Sequence, residues 1–348
     1  MSPATTQSPV TSMRAAVAPR YGGAEVIEPA VVERPTISNS EVLVQVHAAG
    51  LDRGVWHLMT GTPYLIRILG FGFTRPKQPV LGLDLAGVVV EVGKDVTRFA
   101  VGDEVFGSGQ ATFAEYAAAP ESKLSHKPSN VSFEDAAVTA ISGGTALQAL
   151  TDVGRLAAGQ SVLVIGASGG VGSFAVQIAA ALGAHVTGVC SAAKAQTVTK
   201  LGAEHVIDYA TEDYLNGGER YDVIIDAGGL NPVRRLKRAL TPRGTLVIVG
   251  GEGGGKFTGG IGRNLRAALL SLVSRQRLTA FISKENHQST DRLATLLSDQ
   301  SITPSIGARY SLDRAADAIS DMESGNIAGK AVIVMEPPAH LSVSDLGS

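Results

Sequence analysis

The sequence predicts an α/β protein of two domains, one rich in β-strands and one built on a doubly wound parallel sheet. At 348 residues with 44% hydrophobic content, the chain can bury a large core, and this length favours two domains. Up to about residue 130, short apolar runs broken by glycine recur at close intervals, which is typical of a compact β-rich unit. From about residue 160, strand-like runs alternate with helical patterns, and this alternation builds a parallel sheet covered on both faces.

The β-rich part is indicated by four apolar segments, VLVQVHAAG, LGLDLAGVVVEVG, VGDEVFG and ATFAEYAAA. The segment between Gly61 and Pro79 departs from this pattern, because it is apolar and basic and too long for a tight turn. We expect it to form a loop or short helix flanking a pocket. It suits a bulky hydrophobic substrate such as an aryl ketone, an enone or a quinone, but a partner surface or a membrane-touching patch also fits.

Helices are predicted next. Ser132 followed three residues later by Asp135 resembles a helix start, and an alanine-rich run continues to Ile141. A second helical stretch, TALQALTDVG, follows. Six strands are then predicted, at 162–166, 185–190, 205–209, 222–227, 245–250 and 278–282.

Past residue 283 the alternation stops, and the remaining segments are expected to return to the first domain. The predicted organisation is a tail at 1–12, a β-rich catalytic domain at 13–138, a dinucleotide-binding domain at 139–283, a return segment at 284–336 and a tail at 337–348.

Composition excludes several classes of protein. A net charge of -2 with interspersed signs gives no field to attract nucleic acid or an anionic membrane. The single cysteine, Cys190, rules out an intrachain disulfide and a four-cysteine zinc site. No apolar stretch approaches the ~20 residues of a membrane span, and the N-terminal region lacks the apolar block of a secretory signal. We therefore expect a cytoplasmic protein without a membrane span.

The turn GASGGVG, at 166–172, is the strongest local signal. Ala167 stands where the first glycine of G-x-G-x-x-G would be, while Gly172 fills the last position. The turn follows a strand and opens a helix, which is the setting of a dinucleotide-binding fingerprint. Its backbone amides and helix N-terminus are predicted to face a pyrophosphate, although a tight turn that binds nothing is the alternative. The predicted contacts at this turn are Ser168, Gly169, Gly170 and Val171.

The preferred dinucleotide is predicted from the end of the next strand. A carboxylate about 20 residues past the turn normally grips the ribose hydroxyls and repels a 2′-phosphate. Cys190 occupies that position here, and Ser191 and Lys194 could bind a 2′-phosphate. Lys194 alone could be an ordinary solvated lysine, but the missing carboxylate favours NADPH.

Six motifs together resemble the medium-chain dehydrogenase/reductase superfamily: AAGLDRGVW, LGLDLAGVVVEVG, VGDEVFG, GGTALQAL, GASGGVG and LGAEHVIDY. The likeness runs from about Met13 to Met335 and is greatest to the zinc-independent quinone oxidoreductase branch. The resemblance implies a GroES-like catalytic domain, a Rossmann domain, and reduction of quinones or activated double bonds with NADPH. It also implies a homodimer in which the strand at 277–282 pairs with its twin.

The resemblance bears on metal binding as well. Asp52, Leu83 and Ile141 fill the places of the three catalytic zinc ligands found in many members of the superfamily. Leucine and isoleucine cannot ligate a metal, so no catalytic zinc is expected. Without zinc an unactivated alcohol is a poor substrate, whereas a quinone or enone is already electrophilic.

Other site residues are implied by the resemblance alone. Asp52 stands where quinone reductases often carry asparagine, and His57 where a tyrosine or a proton-relay histidine is found. Either could supply a proton, although Asp52 could simply cap a turn and His57 could pack beside Trp56. Tyr209 matches a tyrosine near the 2′-phosphate, with strand-end packing as its alternative. Thr145, at a helix start, and the strand-end Gly250 and Gly251 are implied at the nicotinamide. Lys330 could also reach the cofactor, but we expect it to be a surface lysine.

The predicted function is that of an NADPH-dependent, zinc-independent oxidoreductase acting on a small hydrophobic carbonyl or quinone. Two alternatives stay open. One is a metal-free alcohol dehydrogenase or ketoreductase, and the other is a non-catalytic NADPH-sensing protein.

Overall fold

The computed structural model describes residues 11–216, 218–228, 231–249, 255 and 257–336. Within these residues it contains a two-stranded sheet, a seven-stranded sheet and a six-stranded parallel sheet. The predicted fold class is confirmed: a β-rich domain is joined to a doubly wound α/β domain.

The strands of the three sheets are three to eleven residues long. They are β1 (Ser12–Val17), β2 (Glu28–Glu33), β3 (Glu41–Leu51), β4 (Asp84–Val92), β5 (Glu104–Ser108), β6 (Tyr116–Pro120), β7 (Leu124–His126), β8 (Ser161–Ile165), β9 (His185–Cys190), β10 (His205–Asp208), β11 (Tyr221–Asp226), β12 (Leu240–Ile248), β13 (Arg277–Ala280), β14 (Ile306–Ser311) and β15 (Lys330–Val334).

The α-helices lie mainly between the strands of the second half of the chain. They are α1 (Arg53–Thr60), α2 (Phe133–Ala137), α3 (Ala140–Gln148), α4 (Gly170–Ala181), α5 (Ala195–Lys200), α6 (Val233–Arg238), α7 (Ile261–Leu272), α8 (His287–Ser298) and α9 (Ala315–Glu323). None of the helices in the described ranges is both long enough and apolar enough to span a membrane.

The β-rich sheet has the strand order β14-β15-β3-β4-β5-β7, with β6 also paired to β3. β15 runs antiparallel to β3, so the C-terminal part of the chain lies directly beside the strand that leads into α1. Val42, Val44 and Val46 of β3 are buried and point into one core. This packing fixes the start of α1 relative to the start of β15.

The parallel sheet has the order β10-β9-β8-β11-β12-β13. The predicted strands match it closely, because parallel strands covered on both faces read as continuous apolar runs. The largest difference is in β12, which was predicted to begin at residue 245 and begins at Leu240. Leu240 pairs with Tyr221, and a register irregularity separates this pair from the pairing of Val223 with Thr245. β8 and β11 are neighbours at the centre, and the strand order reverses there, which is where such sheets bind ligands.

The helical stretch after Ser132 differs from its prediction. The Ser132 hydroxyl caps α2 by accepting from the Asp135 amide at 3.0 Å, as predicted. The helix ends at Ala137, however, and α3 begins at Ala140, so Thr145 lies inside a helix and the prediction of a helix start there is wrong. The helix continues through Gly143, where a Cβ would come within 3.2 Å of Leu293 and 3.4 Å of Phe174.

The apolar segment before Pro79 contains a short π-helical turn at Arg67–Phe71. The Arg67 guanidinium donates to the carbonyl oxygens of Gly61 and Thr60, at 2.9 and 3.1 Å, which ties the segment to the end of α1. The Tyr64 ring packs edge-on against Phe257 at a centroid distance of 5.3 Å. The segment is therefore an anchored loop with a short helical turn.

Candidate active site

The glycine turn joins β8 to α4 at the centre of the parallel sheet. A Cβ on Gly172 would overlap with the carbonyl oxygen of Gly166, so the helix can approach the strand end only because this residue is glycine. Gly169 is exposed, and within the described part of the chain no side chain caps the start of α4 there. The turn thus offers a helix N-terminus to an anion in the cleft.

The start of β15 packs directly on this turn. The Gly329 amide donates to the Ser168 carbonyl oxygen at 2.8 Å. The Lys330 ammonium donates to the Ser142 hydroxyl at 3.0 Å, and a Cβ on Gly170 would lie 3.2 Å from Cδ of Lys330. The prediction of a surface lysine is wrong. Lys330 is 2% exposed, because β15 lies inside the β-rich sheet and packs against the glycine turn.

Asp84, a residue that sequence reasoning missed, is fully buried at the start of β4. Its Oδ1 accepts from the Ile141 amide at 3.0 Å, and its Oδ2 lies 3.9 Å from the Lys330 ammonium, too far for a hydrogen bond. Burial holds the pKa of Asp84 well above its usual range, although the charge of Lys330 opposes this shift. The available signal was an aspartate inside the apolar run LGLDLAG.

Asp52 has the capping role that the sequence offered as one of two alternatives. Its Oδ1 accepts from the Gly54 amide at 2.7 Å and caps α1, while its Oδ2 is buried with no hydrogen-bond partner among the described residues. The residue is only 8% exposed. Burial raises the pKa of Asp52, and the charge of Lys330 acts in the opposite direction. One carboxyl oxygen therefore caps a helix, and the other makes no hydrogen bond with any described residue.

His57 lies in the last turn of α1, away from the Asp52 cap. Its Nδ1 is 2.7 Å from the Thr62 carbonyl oxygen, and its ring packs edge-on against Trp56 at 5.0 Å. An Nδ1 proton donated to this carbonyl would leave Nε2 as an acceptor. The packing interpretation of His57 thus has direct support.

At the predicted nicotinamide end, Thr145 is buried. Its hydroxyl donates to the Ile141 carbonyl oxygen at 2.7 Å and lies 2.8 Å from the Ser283 hydroxyl. Gly250 and Gly251 lie outside the described residues.

A second missed feature closes the end of β11. Asp226 is fully buried there and forms an ion pair with Arg263 of α7. The Arg263 guanidinium also donates to the Asn231 carbonyl oxygen at 3.0 Å, which fixes α7 beside the carboxyl ends of the strands.

At the predicted adenosine end, Cys190 is buried at the end of β9 and Ser191 follows it half-buried. Lys194 is more than a solvated lysine, because its ammonium donates to the carbonyl oxygens of Gly325 and Ile327, both at 3.1 Å. Tyr209 is 59% exposed, which does not support the packing alternative. Its amide donates to the Cys190 carbonyl oxygen at 3.2 Å, which keeps the two strand ends together.

A cavity of about 270 Å³ lies between α1, the apolar loop and the start of β4. Leu83 joins this cavity to the Asp52 cap, since a Cβ on Gly54 would lie 2.7 Å from Oδ1 of Asp52 and 3.3 Å from Cδ1 of Leu83. Most of the lining is apolar. The lining includes Val55, Leu58, Met59, Phe71, Leu81 and Leu83, with the polar Lys77, Gln78 and Gln110.

The donor set does not fit a catalytic zinc. Leu83 and Ile141 carry no side-chain donor atom, and Ile141 serves the site through its amide bond to Asp84. Across the described ranges, no three His, Cys, Asp or Glu side chains are grouped closely enough to hold a metal ion.

Two family models match the chain. The alcohol dehydrogenase GroES-like domain matches residues 38–129, and the zinc-binding dehydrogenase model matches residues 201–333. The name of the second model refers to zinc, but Leu83 and Ile141 of this chain have no side-chain atoms that could bind it.

Relatives and solved structures agree with these models. The chain is 31% identical to a chloroplastic quinone-oxidoreductase QR1 of Triphysaria versicolor over 91% of this chain and 95% of the relative. It is 30% identical to a 2-methylene-furan-3-one reductase of Solanum lycopersicum over 90% of this chain and 76% of the relative. The structure of mycobacterial Rv1454c complexed with NADPH superposes with a TM-score of 0.79 at 26% identity, covering 92% of this chain and 99% of that one. The chain therefore belongs to the medium-chain dehydrogenase/reductase superfamily, in its quinone oxidoreductase-like branch.

Proposed function

We propose that this oxidoreductase uses NADPH to reduce a quinone or an α,β-unsaturated carbonyl, without a metal ion. One observation carries the proposal. The uncapped N-terminus of α4 at the glycine turn lies beside Lys330, which faces Asp84 at the start of β4. Leu83, the residue before Asp84, lines an apolar cavity. Such a site can hold a charged nucleotide at one end and a hydrophobic acceptor at the other.

The residues that would hold the nucleotide come from three places. The amides of Gly169, Gly170 and Val171 at the start of α4 would bind the pyrophosphate, with the Lys330 ammonium beneath them. Ser191, Lys194 and Tyr209 would surround the 2′-phosphate, and no carboxylate follows β9 to repel it. Thr145, Ser168, Gly250 and Gly251 complete the proposed set. NADPH in the solved mycobacterial relative supports the same choice.

The bound NADPH would supply a hydride to an electrophilic carbon of the acceptor. This chain then has to orient the acceptor, exclude water and provide a proton to the developing oxyanion. The apolar lining at Val55, Leu58 and Leu83 excludes water. The free Oδ2 of Asp52 is the proposed proton donor, with His57 as the second candidate.

Quinones and enones fit better than alcohols because the zinc positions hold Leu83 and Ile141. Alcohol oxidation on this scaffold uses a metal to lower the pKa of the hydroxyl, and these side chains cannot bind one. The quinone oxidoreductase and furanone reductase names of the relatives support an activated acceptor.

An acceptor panel tests the proposal. We expect NADPH to be consumed with a quinone and with an enone, and little activity with a secondary alcohol. Metal analysis of the active sample should find no zinc. Chelator treatment is the control and should leave the rates unchanged. NADPH binding without turnover of any acceptor would instead favour a sensor, and alcohol oxidation faster than quinone reduction would favour a metal-free alcohol dehydrogenase.

Three further features belong to this proposal. Residues 13–138 with 284–336 would form the catalytic domain and residues 139–283 the nucleotide-binding domain, supported by the membership of β14 and β15 in the β-rich sheet. A homodimer would form through β13, which is an edge strand of the parallel sheet. A cytoplasmic location is supported by the single, buried, unpaired Cys190.

A further inference from the structure

Three neighbouring strands bring two carboxyls and one ammonium to the same buried place. β15 pairs with β3 so that Leu51 lies opposite Ala331, which sets the adjacent Asp52 and Lys330 side by side at the strand ends. On the other side of β3, the carboxyl group of Asp84 lies against Gly50. The cluster therefore follows from sheet register.

Gly50 creates the space for this cluster. A Cβ at this position would lie 2.5 Å from the Ala137 carbonyl oxygen and 3.1 Å from Oδ2 of Asp84. Any side chain here would displace the Asp84 carboxyl from its position between β3 and the start of α3. Because Gly50 has no side chain, the Asp84 carboxyl can lie beside β3, with its Oδ2 3.9 Å from the Lys330 ammonium.

The charges in the cluster do not balance. Asp52, Asp84 and Lys330 are 8%, 0% and 2% exposed, so two carboxyls share one ammonium away from water. Oδ2 of each carboxyl has no hydrogen-bond partner among the described residues. Ser142 and the Ile141 amide add only neutral contacts, and the next charged group acting on the cluster, Glu285, is another carboxylate. A buried anion without a partner is unfavourable, so one carboxyl is expected to keep a proton.

We propose that the Asp52–Asp84 pair holds one proton over Lys330, that Asp52 passes this proton to the reduced acceptor, and that Asp84 and Lys330 are positioning residues. This inference rests on the proposed function and adds to it a role for Asp84 and Lys330 in proton transfer. Asp52 is the proposed donor because it lies nearer to the cavity: a Cβ on Gly54, whose amide it caps, would lie 3.3 Å from the cavity residue Leu83. Asp84 instead accepts from the Ile141 amide.

Hydride transfer and proton transfer together reduce the acceptor. The hydride from NADPH brings two electrons to the acceptor, which becomes an enolate or a hydroquinone anion. The O–H bond of Asp52 breaks, its proton forms a new bond to the acceptor anion, and the bonding pair stays on Asp52 as a carboxylate facing Lys330. A proton from water then restores the acid. For a quinone, this hydride and this one proton together give the neutral hydroquinone.

Infrared spectroscopy of the whole protein tests the shared proton without any acceptor. At neutral pH we expect the carbonyl stretch of a protonated carboxyl, identified by its shift in D₂O. Asp84→Asn and Asp52→Asn should each abolish it, because one carboxyl is then paired with one lysine. Asp291→Asn is the matched control, since that carboxylate already accepts from Ser125 and pairs with Arg98, and it should leave the band unchanged.

A third variant guards against misfolding of the aspartate variants. Lys330→Met keeps most of the stem but removes the cation, so both carboxyls should be protonated and the band should grow. Absence of the band in the unchanged protein, or its persistence in both asparagine variants, overturns the shared proton.

Kinetics test the transfer step. Asp84→Asn should lower kcat at least tenfold with little change in KM, because Asp52 is then ionised by Lys330. As the pH is raised, Asp84→Asn should also lose its activity earlier, with a midpoint at lower pH than in the unchanged protein. An unaltered pH profile in Asp84→Asn contradicts the inference even if acceptors are reduced. If the band behaves as expected but no acceptor is reduced, the proposed function fails while the shared proton stands.

Discussion

Lys194 shows how one side chain can serve both the fold and a ligand. Its ammonium binds two carbonyl oxygens of the return segment, at Gly325 and Ile327, while it stays at the end of β9 where a 2′-phosphate is proposed. A cation held this way is already positioned for an incoming phosphate, so less side-chain entropy is lost on binding.

Lys194→Ala should therefore weaken NADPH binding about tenfold or more, on the order of 1.4 kcal/mol, with little effect on NADH. Fluorescence titration with both nucleotides measures the difference. Lys200→Ala, at an exposed lysine that ends α5, is the control and should change the binding of neither nucleotide. Equal losses for NADPH and NADH would mean that Lys194 acts only through the return segment.

Predictions for single residues succeeded where a few neighbouring residues determine the backbone conformation. The Ser132 cap and the need for glycine at Gly172 are of this kind. The burial of Asp84 and Lys330 was missed because it depends on the register of β15 and β4 with β3, which no local pattern contains. Buried charges of this sort are recognised only when the strands that surround them are known.

At the scale of elements, the close approach of α4 to the end of β8 depends on Gly172. Gly172→Ala would drive its Cβ into the Gly166 carbonyl and push α4 away from β8. We expect a loss of about 1–3 kcal/mol in the free energy of unfolding, measured by chemical denaturation, and weaker nucleotide binding.

A glycine in another helix provides the control for this prediction. A Cβ on Gly262 of α7 would have no atom within 4 Å, so Gly262→Ala should leave stability unchanged or raise it by up to about 1 kcal/mol. Similar effects of the two substitutions would show that helix propensity, rather than close approach to β8, decides the outcome at Gly172.

Most strands could be predicted because the central ones are covered on both faces and read as apolar runs. The break between α2 and α3 could not be predicted, since every residue from Val138 to Gly144 is small or apolar and no local pattern marks a boundary. The packing of α3 at Gly143 against Phe174 and Leu293 is known only from the fold. Element type was thus more predictable than element boundaries, and the difference lies in tertiary contacts.

At the scale of the whole molecule, the edge of the parallel sheet is the feature that most needs a partner. β13 pairs only with β12 within the sheet, and Ile282 just beyond it is 91% exposed. The preceding helix α7 carries exposed apolar side chains at helical spacing, namely Ile261, Leu265, Leu269 and Leu272. A second copy pairing with this edge would cover both features.

Ile282→Lys should therefore convert the protein from dimer to monomer, because a two-fold interface places the two new charges near each other. Sedimentation velocity across a range of concentrations measures the change. Val31→Lys, at a residue of β2 that is 72% exposed, adds the same charge elsewhere and should leave the dimer intact. A monomeric unchanged protein, or an Ile282→Lys variant that stays dimeric, would contradict the proposed edge.

The bond from Gly329 to Ser168 has a consequence for how the protein is made. Synthesis proceeds from the N-terminus, so the glycine turn leaves the ribosome about 160 residues before the strand that braces it. Until β15 emerges and inserts beside β3, the turn lacks the Gly329 amide and the Lys330 cation. In a nascent chain the glycine turn is thus unbraced until β15 has been made, and a nucleotide bound at this turn would be held firmly only after that.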